Sequence, residues 1–215
     1  MVFTDLASTE LPVELHDRLS RSGFRRSQGI VYKPSCQACS ACIPVRVDVS
    51  RFKMKKSLRR VLRRNEDVTI RQLPAVALIE HFELFERYVN SRHSDGGMVN
   101  MDFEDYMSMV QDSPIQTRLM EFRDANNDLY GVCVTDVTKD GLSLVYSFFD
   151  TDRADDSPGT LVILKHIEDA ARRGLQYVYL GYWIAESRKM AYKTRFPGAE
   201  LLGPNGWREA NDLDA

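Results

Sequence analysis

The 215-residue chain lacks the sequence features of membrane and secreted proteins. It contains no run of eighteen apolar residues, and residues 1–10 lack the basic and apolar regions of a signal peptide. We therefore expect a cytoplasmic protein with no membrane partner. Only four cysteines are present, and in a reducing compartment we expect them to form no structural disulfide. With 43% hydrophobic residues, the chain can bury one sizeable core or two small ones.

One segment, residues 51–64, lacks acidic residues altogether. Its eight basic residues are Arg51, Lys53, Lys55, Lys56, Arg59, Arg60, Arg63 and Arg64. The rest of the chain has 21 basic and 31 acidic residues, so the net charge of −2 combines a segment of +8 with a remainder of −10. Concentrated positive charge of this kind releases counterions from nucleic acids. A solvated helix face is the alternative, but such a face usually carries Glu partners at i,i+4.

We therefore predict a helix that binds RNA with one face and packs with the other. Leu58 and Leu62 lie on its predicted buried side. The predicted tRNA contacts are Lys55, Lys56, Arg59, Arg60, Arg63 and Arg64.

Three evenly spaced cysteines, Cys36, Cys39 and Cys42, precede the basic segment. Thiolates with this spacing are typical of zinc sites and iron–sulfur clusters, both of which normally have a fourth ligand. Ferredoxin-type spacing would place that ligand at position 46, which is Arg46, and Cys133 reads as a small buried hydrophobic residue. An iron–sulfur cluster, a zinc site and a metal-free thiol loop therefore remain as alternatives.

Periodicity divides the chain near Pro74. Residues 1–74 form a predicted domain with the cysteines and the basic helix, and residues 75–215 a predicted acyltransferase-like catalytic domain. In the second part we predict an antiparallel meander and then a helix, a strand and a helix, at residues 116–123, 130–137, 142–149, 161–173, 177–180 and 185–193. This order indicates an α+β fold of the acetyltransferase (GNAT) type, with a mixed, mainly antiparallel sheet, flanking helices and a small N-terminal cysteine-bearing domain.

Several motifs, in order along the chain, resemble those of the aminoacyl-tRNA–protein transferases, and more closely their short bacterial form, the aspartate/glutamate leucyltransferases. The motifs are Tyr32-Lys33-Pro34-Ser35-Cys36, the three cysteines, Arg92-His93-Ser94-Asp95-Gly96-Gly97-Met98, Ser147-Phe148-Phe149-Asp150-Thr151-Asp152, Tyr179-Leu180-Gly181-Tyr182-Trp183-Ile184 and Met190-Ala191-Tyr192-Lys193. Family members usually open with a further cysteine-bearing segment, and this sequence starts without one. The resemblance therefore leaves the metal ligand set incomplete.

The resemblance implies transfer of leucine from leucyl-tRNA to proteins that begin with Asp or Glu, which creates a degradation signal. The implied partners are a charged tRNA and these acceptor proteins, and the transfer requires no cofactor. Alternatives are an arginyl-tRNA donor, a non-catalytic RNA-binding module and an acetyl-CoA-dependent N-acyltransferase. The turn at residues 155–160 disfavours acetyl-CoA, because Pro158 removes a donor and Asp155 and Asp156 would repel its phosphates.

Such a transfer needs a proton acceptor and an oxyanion donor but no covalent nucleophile. Asp150 is our first candidate for the base and Asp152 the second, the alternative being turn acids that cap the next helix. Arg92 and Lys193 are the candidate cations for an acidic acceptor, and His93 lies in the adjacent glycine-rich turn. Candidates for stacking on the terminal adenosine or donating to the ester are Tyr146, Tyr182 and Tyr192, although aromatic residues in strands are more often core.

Overall fold

The computed structural model describes residues 1–94, 96–187 and 189–210. It contains a small antiparallel sheet and a large sheet that is mainly antiparallel. The small sheet has the order β1-β3-β2 and consists of β1 (Val2–Asp5), β2 (Arg25–Ser27) and β3 (Ile30–Lys33). The large sheet consists of β4 (Ile43–Asp48), β5 (Thr69–Pro74), β6 (Thr117–Arg123), β7 (Leu129–Val137), β8 (Gly141–Phe149), β9 (Tyr177–Trp183), β10 (Ala199–Gly203) and β11 (Gly206–Glu209). Its order is β11-β10-β4-β9-β8-β7-β6-β5.

Five α-helices accompany the sheets in the described part of the chain. They are α1 (Pro12–Arg21), α2 (Lys56–Arg64), α3 (Ile79–Arg92), α4 (Phe103–Gln111) and α5 (Pro158–Arg172). Short 3-10 helices occupy Val49–Arg51, Thr151–Asp156 and Ala191–Arg195. Among the described residues, no helix is both long and apolar enough to cross a membrane.

The large sheet separates two apolar cores. On one face α2 and α5 contribute Leu58, Leu161 and Leu164 to the first core. On the other face α3 and α4 contribute Phe85 and Tyr106 to the second. The observed architecture is therefore an α+β sandwich of helices around a mainly antiparallel sheet, which confirms the predicted fold class.

Helix α5 has local start and stop signals that the sequence displays. Pro158 occupies its first turn, where its fixed φ suits a helix and its missing N–H leaves no bond unmade. Gly174 ends it with a φ of +68°, and the N–H of Leu175 donates to the Ala170 carbonyl. The sequence therefore marks both ends of α5.

The predicted meander is confirmed, whereas the last predicted helix is wrong. Strands β6, β7 and β8 pair in sequence, and the bounds agree within one residue of the expected ones. The described residues of this segment, 185–187 and 189–193, form no α-helix: Met190 and Ala191 donate to the carbonyl of Ser187 in turns, and a 3-10 helix follows. At the end of this segment, Lys193 bonds back to the carbonyls of β9, so tertiary contacts accompany the departure from helical composition.

Three strands of the large sheet were not expected from the sequence. Strand β5 extends the meander at its outer edge, and β10 and β11 form a hairpin beyond β4. The hairpin does have a signal, since Pro204 and Asn205 lie between Gly203 and Gly206. The division at residue 74 stays a prediction about folding units, but the sheet crosses it, because β4 lies between β9 and β10.

A buried ion pair joins the small sheet to the large one. The guanidinium of Arg26 on β2 donates through Nε and Nη2 to both oxygens of Asp136 on β7, at 2.7 and 2.8 Å. Neither side chain is exposed, and Thr117 Oγ1 also donates to Asp136 at 2.7 Å. A bidentate pair of this kind is directional as well as strong. It holds β2 in a fixed position, so that the preceding residue, Arg25, reaches the large sheet.

Candidate active site

A cavity of about 590 Å³ opens where β8 and β9 part. The two strands are parallel, and they pair only where Gly141–Ser143 of β8 lie beside Tyr177–Tyr179 of β9. Just beyond this point each strand contains an extra residue, Val145 opposite β7 and Leu180 opposite β4, where the register shifts. Such bulges bend a strand. Both extra residues, Val145 and Leu180, belong to the lining of the cavity.

Two basic side chains bind the backbone carbonyls that the parted strands leave unpaired. Arg25 Nη2 donates to the carbonyls of Leu144 and Val145 on β8, at 2.7 and 2.5 Å. Lys193 Nζ donates to the carbonyls of Leu180 and Tyr182 on β9, at 2.8 and 2.9 Å. Buried carbonyls need such partners, because an unmade hydrogen bond there is costly. The open geometry is thus stabilised by side chains and does not depend on strand pairing.

Gly181 provides the space for Arg25. Its φ is +79°, and a Cβ at this position would lie 1.2 Å from Arg25 Nη1. A side chain and the Arg25 guanidinium therefore cannot occupy this place together.

The lining of the cavity is positively charged around an apolar base. Leu144, Val162, Ile163 and Leu180 supply buried apolar surface. The basic residues of the lining are Arg25, Arg92, His93, Lys189 and Lys193. Among the described residues, no Asp or Glu lines the cavity. The chemistry of the lining therefore favours a ligand with an anionic group and an apolar group.

Burial perturbs two of the cationic groups. The pKa of Lys193 is lowered to about 7, first by burial and then by the charge of Arg25. The pKa of His93 is also lowered, first by burial and then by the charges of Lys189 and Arg92. Lys193 therefore changes its protonation near neutral pH, unlike an ordinary lysine.

The structure separates the three tyrosines predicted for the site. Tyr146 and Tyr192 line the cavity, and Tyr182 does not. The Tyr182 hydroxyl instead donates to the carbonyls of Gly23 and Tyr32, at 3.0 and 3.1 Å, and so attaches β9 to the N-terminal unit.

Tyr146 carries a buried hydroxyl that has no hydrogen-bond partner among the described residues. Burial raises its pKa, so this hydroxyl stays protonated and able to donate. Burial also raises the pKa of Tyr192 to about 12, and its hydroxyl lies near the first turn of α5.

Arg92 and His93 lie together at the C-terminal end of α3, and both line the cavity. The Arg92 guanidinium carbon is 5.9 Å from the centre of the Phe149 ring, which also belongs to the lining. The structure thus brings these two residues into the lining of one cavity with Lys193, Tyr146 and Tyr192, and their roles stay predictions.

Asp150 and Asp152 lie outside the lining. The Asp150 carboxylate accepts from the backbone N–H of Asp152 at 3.0 Å and caps the 3-10 helix at Thr151–Asp156. Asp152 is exposed. The alternative stated from the sequence, a turn acid that caps the next helix, describes Asp150, whereas Asp152 lies within the 3-10 helix itself.

The predicted basic helix is α2, and its charged face is exposed. The exposed residues are Lys55, Lys56, Arg59, Arg60, Arg63 and Arg64. Leu58 is buried and Leu62 half-buried, as expected. Arg64 Nη1 donates to the Asp155 carbonyl at 2.8 Å, and Asn65 Nδ2 to the Asp156 carbonyl at 2.9 Å. Residues 157–160, which follow directly, line the cavity, so the C-terminal end of α2 is attached to its rim.

The three-cysteine segment does not assemble a metal site in the described part of the chain. Cys36 and Cys39 are exposed and face each other in an isolated β-bridge, and Cys42 is half-buried. Among the described residues, no group of three or more His, Cys, Asp or Glu side chains is placed to hold a metal ion. The cysteines as placed therefore do not fit the closed four-ligand site that their spacing indicates. Cys133 is buried, and burial raises its pKa to about 12.

Sequence reasoning missed Arg25, Tyr88 and Lys189, which also line the cavity. Arg25 comes from β2, about 120 residues before the strand that it contacts. No local pattern marks it, because its role arises only when the small sheet docks on the large one.

Comparisons with known proteins place the chain in one family. The profile of the arginine-tRNA-protein transferase N-terminal region matches residues 2–60, and that of the C-terminal region matches residues 80–203. A protein of Paramagnetospirillum magneticum named aspartate/glutamate leucyltransferase is 51% identical over 207 residues, which cover 96% of this chain and 84% of that protein. Proteins of the same name from Granulibacter bethesdensis and Rhodospirillum rubrum are each 49% identical, over 93% and 95% of this chain and 75% and 83% of theirs.

Solved structures show the same fold at low sequence identity. L-PGS from Bacillus licheniformis has a TM-score of 0.54 at 11% identity, over 69% of this chain and 47% of that one. FemX has a TM-score of 0.51 at 8% identity, over 82% and 61%. A fungal GCN5-related glucosamine N-acetyltransferase region has a TM-score of 0.50 at 8% identity, over 90% and 22%. With the fold of these structures and with sequence relatives close to half identical over nearly its whole length, the chain belongs to the aminoacyl-tRNA–protein transferase family, in its aspartate/glutamate leucyltransferase branch.

Proposed function

We propose that the protein transfers leucine from leucyl-tRNA to the N-terminal amine of proteins that begin with Asp or Glu. The observation that carries the proposal is the cavity lining, which combines basic residues, an apolar base and, among the described residues, no carboxylate. The names of the relatives supply the same reaction class. The product is a protein with an apolar N-terminal residue, which we propose acts as a degradation signal in the cytoplasm.

The apolar base supports leucine over arginine as the transferred residue. Leu144, Val162 and Ile163 are buried side chains of the lining and would surround a leucine side chain with hydrocarbon. An arginine side chain would leave its guanidinium without a carboxylate, in a cavity that already contains the guanidinium of Arg25.

The N-terminus of α5 supports a tRNA donor over acetyl-CoA. Pro158 has no N–H, and the N–H groups of Thr160 and Leu161 already donate to the Ser157 carbonyl. In the first turn of α5, the N–H of Gly159 is therefore the group that remains to donate to a pyrophosphate. Helix α2, with its exposed basic face attached to the cavity rim, is the surface that we assign to tRNA.

Arg92 is the residue that we assign to the side-chain carboxylate of the acceptor. Its guanidinium can form two parallel hydrogen bonds with a carboxylate, and it lines the cavity beside His93. We assign donation to the oxyanion of the ester to Tyr146, because its side chain lines the cavity and its hydroxyl stays protonated. Tyr192 is left as the candidate for contact with the terminal adenosine.

The test is a transfer assay with defined substrates. The chain is incubated with leucyl-tRNA and a peptide that starts with Asp, and the peptide mass is measured. We expect leucine addition to Asp- and Glu-starting peptides and much weaker addition to Asn- and Gln-starting ones, because the amide leaves Arg92 unpaired. Arginyl-tRNA and acetyl-CoA serve as competing donors.

Substitutions separate the acceptor site from the helix that carries it. Arg92→Ala should reduce the preference for Asp over Asn, whereas Arg87→Ala removes an exposed arginine of the same helix and should leave the preference unchanged. Transfer from arginyl-tRNA but not leucyl-tRNA, or equal transfer to Asp and Asn peptides, would contradict the proposal. No transfer from any charged tRNA with intact RNA binding would favour the non-catalytic alternative.

A further inference from the structure

The amino group of Lys193 is held in a geometry that suits a proton acceptor. Its Nζ donates to the carbonyls of Leu180 and Tyr182, which belong to the strand that borders the cavity. A neutral amine has two N–H donors and one lone pair. In the neutral form, the two carbonyls accept hydrogen bonds from both N–H groups, which leaves the lone pair of Nζ to accept a proton. The Lys193 side chain lines the cavity.

The surroundings of Lys193 favour this neutral form. Arg25 reaches the cavity from β2, Arg92 and His93 from the end of α3, and Lys189 from the loop after β9. The other titratable groups of the lining are the hydroxyls of Tyr88, Tyr146 and Tyr192, which are neutral because burial raises the pKa of each. Among the described residues, the lining supplies no carboxylate that would hold Lys193 charged.

The pKa of Lys193 determines which form of the amine is present at a given pH. Burial and the charge of Arg25 lower the pKa of Lys193 to about 7, so the amine is neutral above that pH and charged below it. A base is most effective when its pKa lies near the working pH. An ordinary lysine, with a pKa near 10.4, would be charged and unable to accept a proton.

We propose that Lys193 accepts the proton of the acceptor amine during aminoacyl transfer, an inference that rests on the proposed function. The neutral acceptor amine attacks the ester carbonyl carbon, forming the C–N bond while the π electrons move to the carbonyl oxygen. The lone pair of Lys193 takes a proton from the new ammonium. The C–O bond to the ribose then breaks, and the departing oxygen receives a proton from Lys193. The products are an amide and a free ribose hydroxyl, and Lys193 is restored.

This assignment replaces the carboxylates as the base. Asp150 caps a 3-10 helix, Asp152 is exposed, and neither lines the cavity. Lys193 lies in the cavity with the residues assigned to the substrates.

The first experiment measures the protonation of Lys193 without activity. The full chain is labelled with [ε-13C]lysine, and the lysine resonances are followed by NMR from pH 5 to 11. We expect one resonance with a midpoint near 7 that disappears in Lys193→Arg and persists in Lys165→Arg, an α5 surface lysine paired with Glu168. If every lysine titrates near its ordinary pKa in the unmodified chain, the proposal is overturned, whether or not the variant folds.

The second experiment measures kcat/KM for an Asp-starting peptide as a function of pH. In the unmodified chain both the acceptor amine and Lys193 must be deprotonated, so log kcat/KM should rise with a slope approaching 2 below about pH 6. Lys193→Arg keeps hydrogen-bond donors but cannot accept a proton. We expect a slope of 1 and a rate lower by about 10²- to 10⁴-fold, with Lys165→Arg unchanged in both.

The outcomes separate this inference from the proposed function. If the unmodified chain transfers leucine and Lys193→Arg does so within about threefold and with the same slope, only the role of Lys193 is refuted. If the unmodified chain transfers no leucine, the proposed function fails, and the NMR titration still reports on the amine.

Discussion

Neutralising the exposed face of α2 should weaken tRNA binding in a way that the salt dependence reveals. The variant that we choose changes Arg59, Arg60 and Arg63 to Gln, because all three side chains are exposed and none forms an ion pair in the described part of the chain. Arg64 is left in place, since it donates to the Asp155 carbonyl and its loss would disturb the cavity rim. The substitution removes charge without adding repulsion.

The size of the effect follows from counterion release. Each phosphate contact contributes about 0.7 to 0.9 to the slope of log affinity against log salt. If the three arginines each contact one phosphate, the slope should become shallower by about 2 to 3. Between about 50 and 200 mM salt, the unmodified chain would then lose roughly 20- to 40-fold more affinity than the variant.

The assay is fluorescence anisotropy with labelled leucine tRNA across that salt range. The matched control changes Arg18, Arg87 and Arg118 to Gln, which removes the same charge from three exposed positions on other elements. Thermal unfolding verifies that both variants are folded. Equal slopes for the two variants would show that overall charge, and not the α2 face, governs binding and would refute the assignment.

Three further substitutions test the geometry of the site and its support. Gly181→Ala would place a Cβ 1.2 Å from Arg25 Nη1, and displacement of that side chain should lower the single-turnover transfer rate by about 100-fold, a result that unchanged kinetics would contradict. Asp136→Asn leaves Arg26 buried without its carboxylate, and urea unfolding should show a loss of about 3 to 5 kcal/mol; a loss under about 1 kcal/mol would mean that the pair does not hold the two sheets together. Burial lowers the pKa of His166 to about 4, so the free energy of unfolding should fall by about 2 kcal/mol from pH 7 to pH 5 as the unfolded state, with a pKa near 6.5, gains a proton. His166→Gln should remove that part of the pH dependence, measured by urea unfolding at the two pH values.

The divergence of β8 and β9, which opens the cavity, also determines which side chains line it. Arg25 binds the backbone carbonyls of β8 and Lys193 those of β9, and the Arg25 guanidinium places a positive charge in the cavity wall before any substrate enters. This gives a physical reason why a site on an acyltransferase fold would accept an acidic protein N-terminus.

Local patterns in the sequence determined the meander strands and the basic helix α2, which depend little on distant parts of the chain. Alternation marked the strands of the meander, and the uncompensated basic run marked α2, because side-chain periodicity and charge act within a few residues. The motifs around Arg92, Tyr146 and Lys193 also pointed to residues that share one cavity.

Only the tertiary structure decided which charged groups face that cavity. Asp150 and Asp152 follow β8 but belong to the cap and first turn of a 3-10 helix. Lys193, which was expected at the end of an α-helix, lies in a 3-10 helix and bonds to the carbonyls of β9. Arg25 reaches the site through the docking of a separate sheet. The physical reason is that a strand end or a lone cation has no local signature: its environment is set by hydrogen bonds and burial between segments far apart in the chain.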